Sequence, residues 1–145
     1  MNTPLALALN NVDLLKHALY KDYQFPKEIN TINRTQERIL MTVKYSQALT
    51  MVTIARAIGM EKGPFSQSVD KLEELDLVYR NRSQTDKRNI HLKLTDKGEE
   101  LTTIIEKSME QHFEISMKKL DPIQKIEFFQ ALETLGRIAN TINKK

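Results

Sequence analysis

Apolar side chains recur along most of this chain at spacings of three and four, the signature of helices buried on one face, while one central stretch alternates at every second residue. From Thr3-Pro4, a cap followed by a first-turn proline, Leu5, Ala8, Leu9, Val12, Leu15 and Leu19 mark one side of a helix reaching to about Tyr20. Asn33 caps a second helix, with Gln36 three residues on as a capping box and Ile39, Leu40 and Val43 on the buried side. Thr50 caps a third, short helix through Val52, Ile54, Ala55, Ala57 and Ile58, and Gly59 stops it. Only Met60 to Gly63 intervene before Pro64 opens a fourth helix. Its apolar positions are Phe65, Val69, Leu72 and Leu75, which leaves Lys62, Ser66, Gln67, Asp70 and Lys71 facing outward.

The period then changes. Leu77-Val78-Tyr79-Arg80 is a β-favouring run, Asn81 to Asn89 is a polar loop, and Ile90-His91-Leu92-Lys93-Leu94 alternates as a half-buried strand. Thr95 caps a long helix with Leu101, Ile104, Ile105, Met109, Phe113, Met117 and Leu120. Asp121-Pro122 starts the last helix, which carries Ile123, Ile126, Phe129, Leu132, Leu135, Ile138 and Ile142. Two short helices across a tight turn, then a hairpin, are the order of a winged helix-turn-helix, a module that usually holds DNA. The expected fold class is therefore mainly α (α+β): one domain over residues 1–145, with a winged lobe at 32–95 and flanking helices at 3–22 and 96–143. Those long helices carry more apolar stripe than the small lobe can cover, which predicts a homodimer; the alternative is that they fold back on their own subunit.

Charge sharpens the picture. Between Arg80 and Lys93 lie five cations, Arg80, Arg82, Lys87, Arg88 and Lys93, against the single carboxylate of Asp86, a net +4, whereas the whole chain carries only +3. The field is concentrated on the hairpin, as a phosphate-binding protrusion requires. A length of 145 residues with 40% apolar content suffices for one real core. With no cysteine, disulfide scaffolds, zinc–thiolate sites and thiol-based oxidant sensing are excluded.

No apolar run approaches the roughly eighteen residues of a membrane span, and the opening residues lack the positive segment of a secretion signal, so a cytoplasmic protein without membrane partners is expected. Four scattered glycines form no phosphate cradle, and neither a nucleophile elbow nor HExxH occurs, so no enzyme and no cofactor is expected. Of the three histidines only His17 has a plausible ligand at helical spacing, Asp13, and such a pair is usually a surface contact; no metal is expected.

Four segments in order carry a family resemblance: Val69-Asp70-Lys71-Leu72-Glu73-Glu74-Leu75, Leu77-Val78-Tyr79-Arg80, Ser83-Gln84-Thr85-Asp86-Lys87-Arg88 and Leu94-Thr95-Asp96-Lys97-Gly98. Together with Leu49-Thr50 and Ile54-Ala55 they resemble the MarR family of bacterial transcription regulators, and Ile58-Gly59-Met60-Glu61 is similar to its SlyA-type branch. The resemblance covers roughly Ile32 to Leu101. It implies that the helix from Pro64 to Leu75 enters the major groove of double-stranded DNA with Lys62, Ser66, Gln67 and Lys71 toward the bases. It further implies that Arg88 is the wing-tip arginine of the minor groove, with Lys87 beside it, that Asp86 braces the wing, and that Arg80 or Arg82 contacts the phosphate backbone.

The same resemblance implies a homodimer on a pseudo-palindromic operator, repression, and a small-molecule effector in a crevice beside the dimer helices. Candidate lining residues are Met41, Tyr45, Ile105, Met109 and Phe113, although methionines and aromatics at helical spacing are more often core. Gly63-Pro64, Glu61 and Gln67 depart from the family's usual pattern on the DNA side. The competing class is a winged-helix module that docks proteins and does not touch DNA; salt dependence separates the two, because only phosphate contacts release counterions.

Overall fold

A computed structural model describes residues 2–27, 29–46, 49–82 and 89–144. In chain order the elements are α1 (Leu5–Ala8), α2 (Asn10–Tyr20), α3 (Arg34–Tyr45), α4 (Met51–Ala57), α5 (Lys62–Glu74), β1 (Val78–Arg82), β2 (Ile90–Leu94), α6 (Asp96–Met117) and α7 (Pro122–Asn143). They fall into two compact units, one running from Phe25 to Ser108, the other made from the two ends of the chain, up to Gln24 and from Met109 onward.

The central unit is the winged helix. The Asn33 side chain accepts from the Gln36 amide and the Gln36 side chain accepts from the Asn33 amide, both at 2.8 Å, so α3 begins with the expected capping box. Thr50 caps α4 by accepting from the Thr53 amide at 3.3 Å. After Ala57 the chain escapes through Gly59 at φ 72°, a left-handed conformation that glycine adopts without Cβ strain.

Helix α5 starts two residues earlier than Pro64 predicts. Glu61 is its N-cap and Lys62 its first residue. The first helical bond runs from the Phe65 amide to the Glu61 carbonyl at 3.1 Å, so Pro64 occupies the last position whose missing N–H leaves no helical bond unmade. The hairpin pairs Val78 with Leu94 through to Arg82 with Ile90, antiparallel, which extends the first strand two residues into the expected loop. Outside the hairpin, His91 forms an isolated bridge with Thr50.

Ile39, Leu40, Val43, Ile54, Val69, Leu72, Leu92 and Ile105 are fully buried, so α3, α4, α5, β2 and α6 each contribute to the core that the periodicities mark. Lys44 joins α3 to α6, donating to Thr102 Oγ1 and Thr103 Oγ1 at 3.1 Å each, with Glu106 at 3.5 Å.

One carboxyl breaks the pattern. Glu37 on α3 is buried, its Oε1 has no hydrogen-bond partner among the described residues, and that burial raises its pKa above the ordinary glutamate value despite opposing pulls from Arg34 and Arg38. A raised folded-state pKa means that the unfolded chain ionises first. Stability is therefore retained below the ordinary carboxylate range and falls as pH rises toward the raised value. Glu37→Gln is expected to stabilise the protein at neutral pH by on the order of 1 kcal/mol and to lose that advantage at about pH 3.5. Urea denaturation at the two pH values checks it; equal effects at both would show that ionisation of Glu37 is not what burial opposes.

In the terminal unit the first helix departs from expectation. Pro4, not Thr3, is the N-cap, with no side-chain cap bond. The helix is also split at Leu9, where the Val12 amide bonds to the Leu9 carbonyl at 3.0 Å, a three-residue step in place of four. Asn10 and Asn11, weak helix formers, follow directly.

Helix α7 begins as predicted with Asp121 in a capping box with Gln124 and Pro122 in the first turn. Its apolar residues do not form one straight stripe. Ile123, Ile126, Phe129, Leu132, Leu135 and Ile138 follow each other at a spacing of three, so each step drifts by about 60° and the row winds around the helix. All six are exposed.

Candidate nucleic-acid interface

Helix α5 is anchored by Phe65, Val69 and Leu72, all buried, and this sets which side chains remain on the surface. Lys62, Gln67, Asp70 and Lys71 are exposed and Ser66 is half-buried. The polar face read from the sequence is thus the solvent face of the helix. Lys71 has Glu74 at 3.7 Å, an i,i+3 pair between exposed groups.

The wing shows a division of labour that the sequence does not. Arg82 is exposed near the end of β1. Arg80, only 20% exposed, instead turns to α5: its guanidinium ion-pairs with Glu73 and, through the other terminal nitrogen, with Asp70 at 2.8 Å. One cation thereby bridges two carboxylates on the second half of the helix and ties the hairpin to it. Asp86, Lys87 and Arg88, the expected brace and wing tip, lie outside the described residues. Within the described ones, Arg80 makes the ion pairs that join wing to helix.

A cleft of about 740 Å³ opens in this lobe, lined by Thr50, Met51, Arg56, Lys62, Ser66 and Arg80 among others. Sequence reasoning missed it. Arg56 stands on α4 like any solvated helix cation, and only the packing of α4, α5 and the hairpin makes it part of a concavity. The five residues proposed for an effector crevice are placed differently. Ile105 is fully buried and Met109 nearly so, Tyr45 is 87% exposed, and Met41 and Phe113 are half-buried. Phe113 meets Tyr20 edge-on at 5.2 Å, within the terminal unit. Ile105 and Met109 are thus core residues, as the general tendency of apolar helix positions suggests.

Among the described residues no three His, Cys, Asp or Glu side chains gather as a metal site would require, and no helix is long and apolar enough to cross a membrane.

The sequence profile of the MarR family matches residues 30–89, the stretch that runs from before α3 through both short helices and the first strand of the hairpin. Over those residues the chain is similar to the MarR family. The HTH-type transcriptional regulator SarZ of Staphylococcus aureus is 24% identical over 106 residues, 73% of this chain and 66% of SarZ; the match thus spans just under two thirds of that relative. SarZ of Staphylococcus haemolyticus is 22% identical over 94 residues, 65% of this chain and 64% of that protein.

Among solved structures, the apo form of MarR from E. coli superposes with a TM-score of 0.65 at 20% identity, covering 93% of this chain and 98% of that one. FabT of Streptococcus pneumoniae, whose structure is a complex with DNA, gives 0.59 at 18% identity, covering 96% and 94%. These likenesses establish the winged-helix fold with its long flanking helices, the mainly helical class with one small two-stranded sheet that the periodicities predict. The matched residues take in α3, α4, α5 and β1; β2, α6 and α7 lie outside them.

Proposed function

We propose that this protein is a cytoplasmic, sequence-specific double-stranded DNA-binding transcriptional regulator, a homodimer on a pseudo-palindromic operator and a repressor relieved by a small ligand. The observation that carries the reading is the presentation of α5. Its apolar side is sealed in the core, its polar side with Lys62, Ser66, Gln67 and Lys71 is on the surface, and a strand of the cationic hairpin is clamped to it by Arg80. A helix held this rigidly, with polar side chains outward, suits the major groove. The wing's cations other than Arg80, with Arg82, Lys87 and Arg88 as its phosphate and minor-groove contacts, supply the sequence-independent attraction.

The apolar row of α7 supports the dimer. Phe129, Leu132 and Leu135 are 59%, 41% and 51% exposed, and a second copy offers the matching surface that closes a two-fold pair. Two copies of α5 then lie about one helical turn of DNA apart. The kinship with SarZ, an HTH-type transcriptional regulator, and the likeness to FabT, whose structure holds DNA, agree with this reading.

Selection of bound sequences from a random DNA pool at two salt concentrations tests it. An inverted repeat is expected, with affinity falling steeply between about 50 and 200 mM salt. Recovery of no common sequence, or salt-insensitive capture, would replace the regulator reading with a docking module.

A further inference from the structure

Helix α5 ends in a Schellman turn. The Asp76 amide donates to the Glu73 carbonyl at 2.9 Å and the Leu77 amide to the Leu72 carbonyl at 3.0 Å, with Asp76 at φ 59° where glycine is usual. The next three carbonyls, those of Leu75, Asp76 and Leu77, are all taken by the first residues of the wing-to-α6 junction. Lys97 Nζ donates to the Leu75 carbonyl at 3.0 Å, Thr95 Oγ1 to that of Asp76 at 2.6 Å, and the Thr95 amide to that of Leu77 at 3.1 Å. Thr95 Oγ1 also accepts from the Gly98 amide at 3.0 Å, so the hydroxyl that caps α6 is the one bonded to the exit of α5.

The Lys97 ammonium thus sits at the negative end of the α5 dipole, where a cation is favoured. Consecutive carbonyls held by the cap and first turn of another helix leave little freedom for one helix end to move without the other. Helix α6 then continues unbroken to Met117.

We infer that Lys97 is a positioning residue for DNA reading: it locks the C-terminal end of α5 to the start of α6, and so sets the angle at which the recognition helix is presented. This rests on the DNA-binding reading above. An exposed lysine near a nucleic-acid surface has a plainer role as a phosphate contact, and the two roles have different signatures. A phosphate contact strengthens all duplexes alike and contributes about one unit to the salt slope; a latch affects only duplexes that demand one geometry.

The full-length protein and its Lys97→Ala and Lys97→Arg variants are titrated against the duplex recovered by selection and against two versions whose half-site spacing is one base pair longer or shorter. Lys97→Ala is expected to lose about three- to tenfold in affinity for the selected duplex and to narrow its preference over the altered spacings by a similar factor. The salt slope and melting temperature should stay near those of the parent, and Lys97→Arg should restore the preference. A salt slope reduced by about one with spacing preference intact would make Lys97 a phosphate contact and overturn the latch, as would unchanged affinity and preference. Should the alanine variant lose its helical circular dichroism, Lys97→Met, which keeps the apolar stem, is read in its place. A parent protein that binds no duplex defeats the DNA-binding reading itself, before any substitution is compared, and this inference with it.

Discussion

Gly98→Ala is expected to destabilise the protein by several kcal/mol, on the order of 3–5, enough to leave a marginal domain largely unfolded at 37 °C. A Cβ at this position would overlap the Leu77 carbonyl oxygen, stand 3.1 Å from its carbon and lie 3.4 Å from Leu94 Cδ2. The obstacle is backbone, and that backbone is held in place: the same Leu77 carbonyl accepts from the Thr95 amide, and Leu77 itself is buried. Relief would have to come from separating the start of α6 from the end of α5, which would pull apart the bonds made by Thr95 and Lys97 as well. Conformational freedom of the glycine is not the issue; the space is. Thermal melting followed by circular dichroism decides, and a melting temperature within about 2 °C of the parent would show that the two helices separate more easily than their hydrogen bonds indicate. Gly63→Ala is the internal control, since a Cβ there meets nothing within 4 Å.

Charging the α7 row should abolish the proposed dimer. The double substitution Leu132→Asp with Leu135→Asp places two carboxylates on residues whose side chains are already 41% and 51% exposed, so the subunit's own fold has little to lose. At a subunit interface the same carboxylates would be desolvated and unpaired. A monomer is expected by light scattering, together with a loss of operator affinity on the order of 100-fold or more, because two half-sites bound through one body owe much of their strength to effective concentration. A dimer that persists would show that the apolar row of α7 is covered by something other than a second copy.

How much of this was legible in the residue order can be judged element by element. Capping boxes at Asn33 and Asp121, the Thr50 cap, the stop at Gly59 and the alternation from Ile90 to Leu94 all rest on interactions between residues a few positions apart, so the chain announces them directly. Boundaries that depend on weak competition were harder. Pro64 marks a helix start only to within the first turn, because every N–H there lacks a partner, and α5 extends back to Lys62. The break at Leu9 reflects a small difference between two hydrogen-bond steps that no periodicity of apolar residues reveals.

Within the candidate interface the same line divides what could and could not be foreseen. The outward set of Lys62, Ser66, Gln67 and Lys71 follows from inward Phe65, Val69 and Leu72 by helical geometry alone. Arg80 does not: in sequence it is one of five cations in a basic hairpin, and only the folded distance to Asp70 and Glu73 turns it into the tie between wing and helix. The cleft lined by Arg56 and Ser66, and the grip of Lys97 on the Leu75 carbonyl across 22 positions, are likewise products of long-range packing.

The amino-acid order alone determined the sequence of elements from α3 onward, the core-facing sides of α3 and α5 and the concentration of positive charge on one hairpin, because periodicity, caps and charge counts are local properties. Tertiary structure decided which cations are spent inside the fold, where Glu37 is denied water, and why Gly98 admits no side chain. Those outcomes depend on which surfaces meet, and that is settled by the mutual burial of segments far apart in the chain.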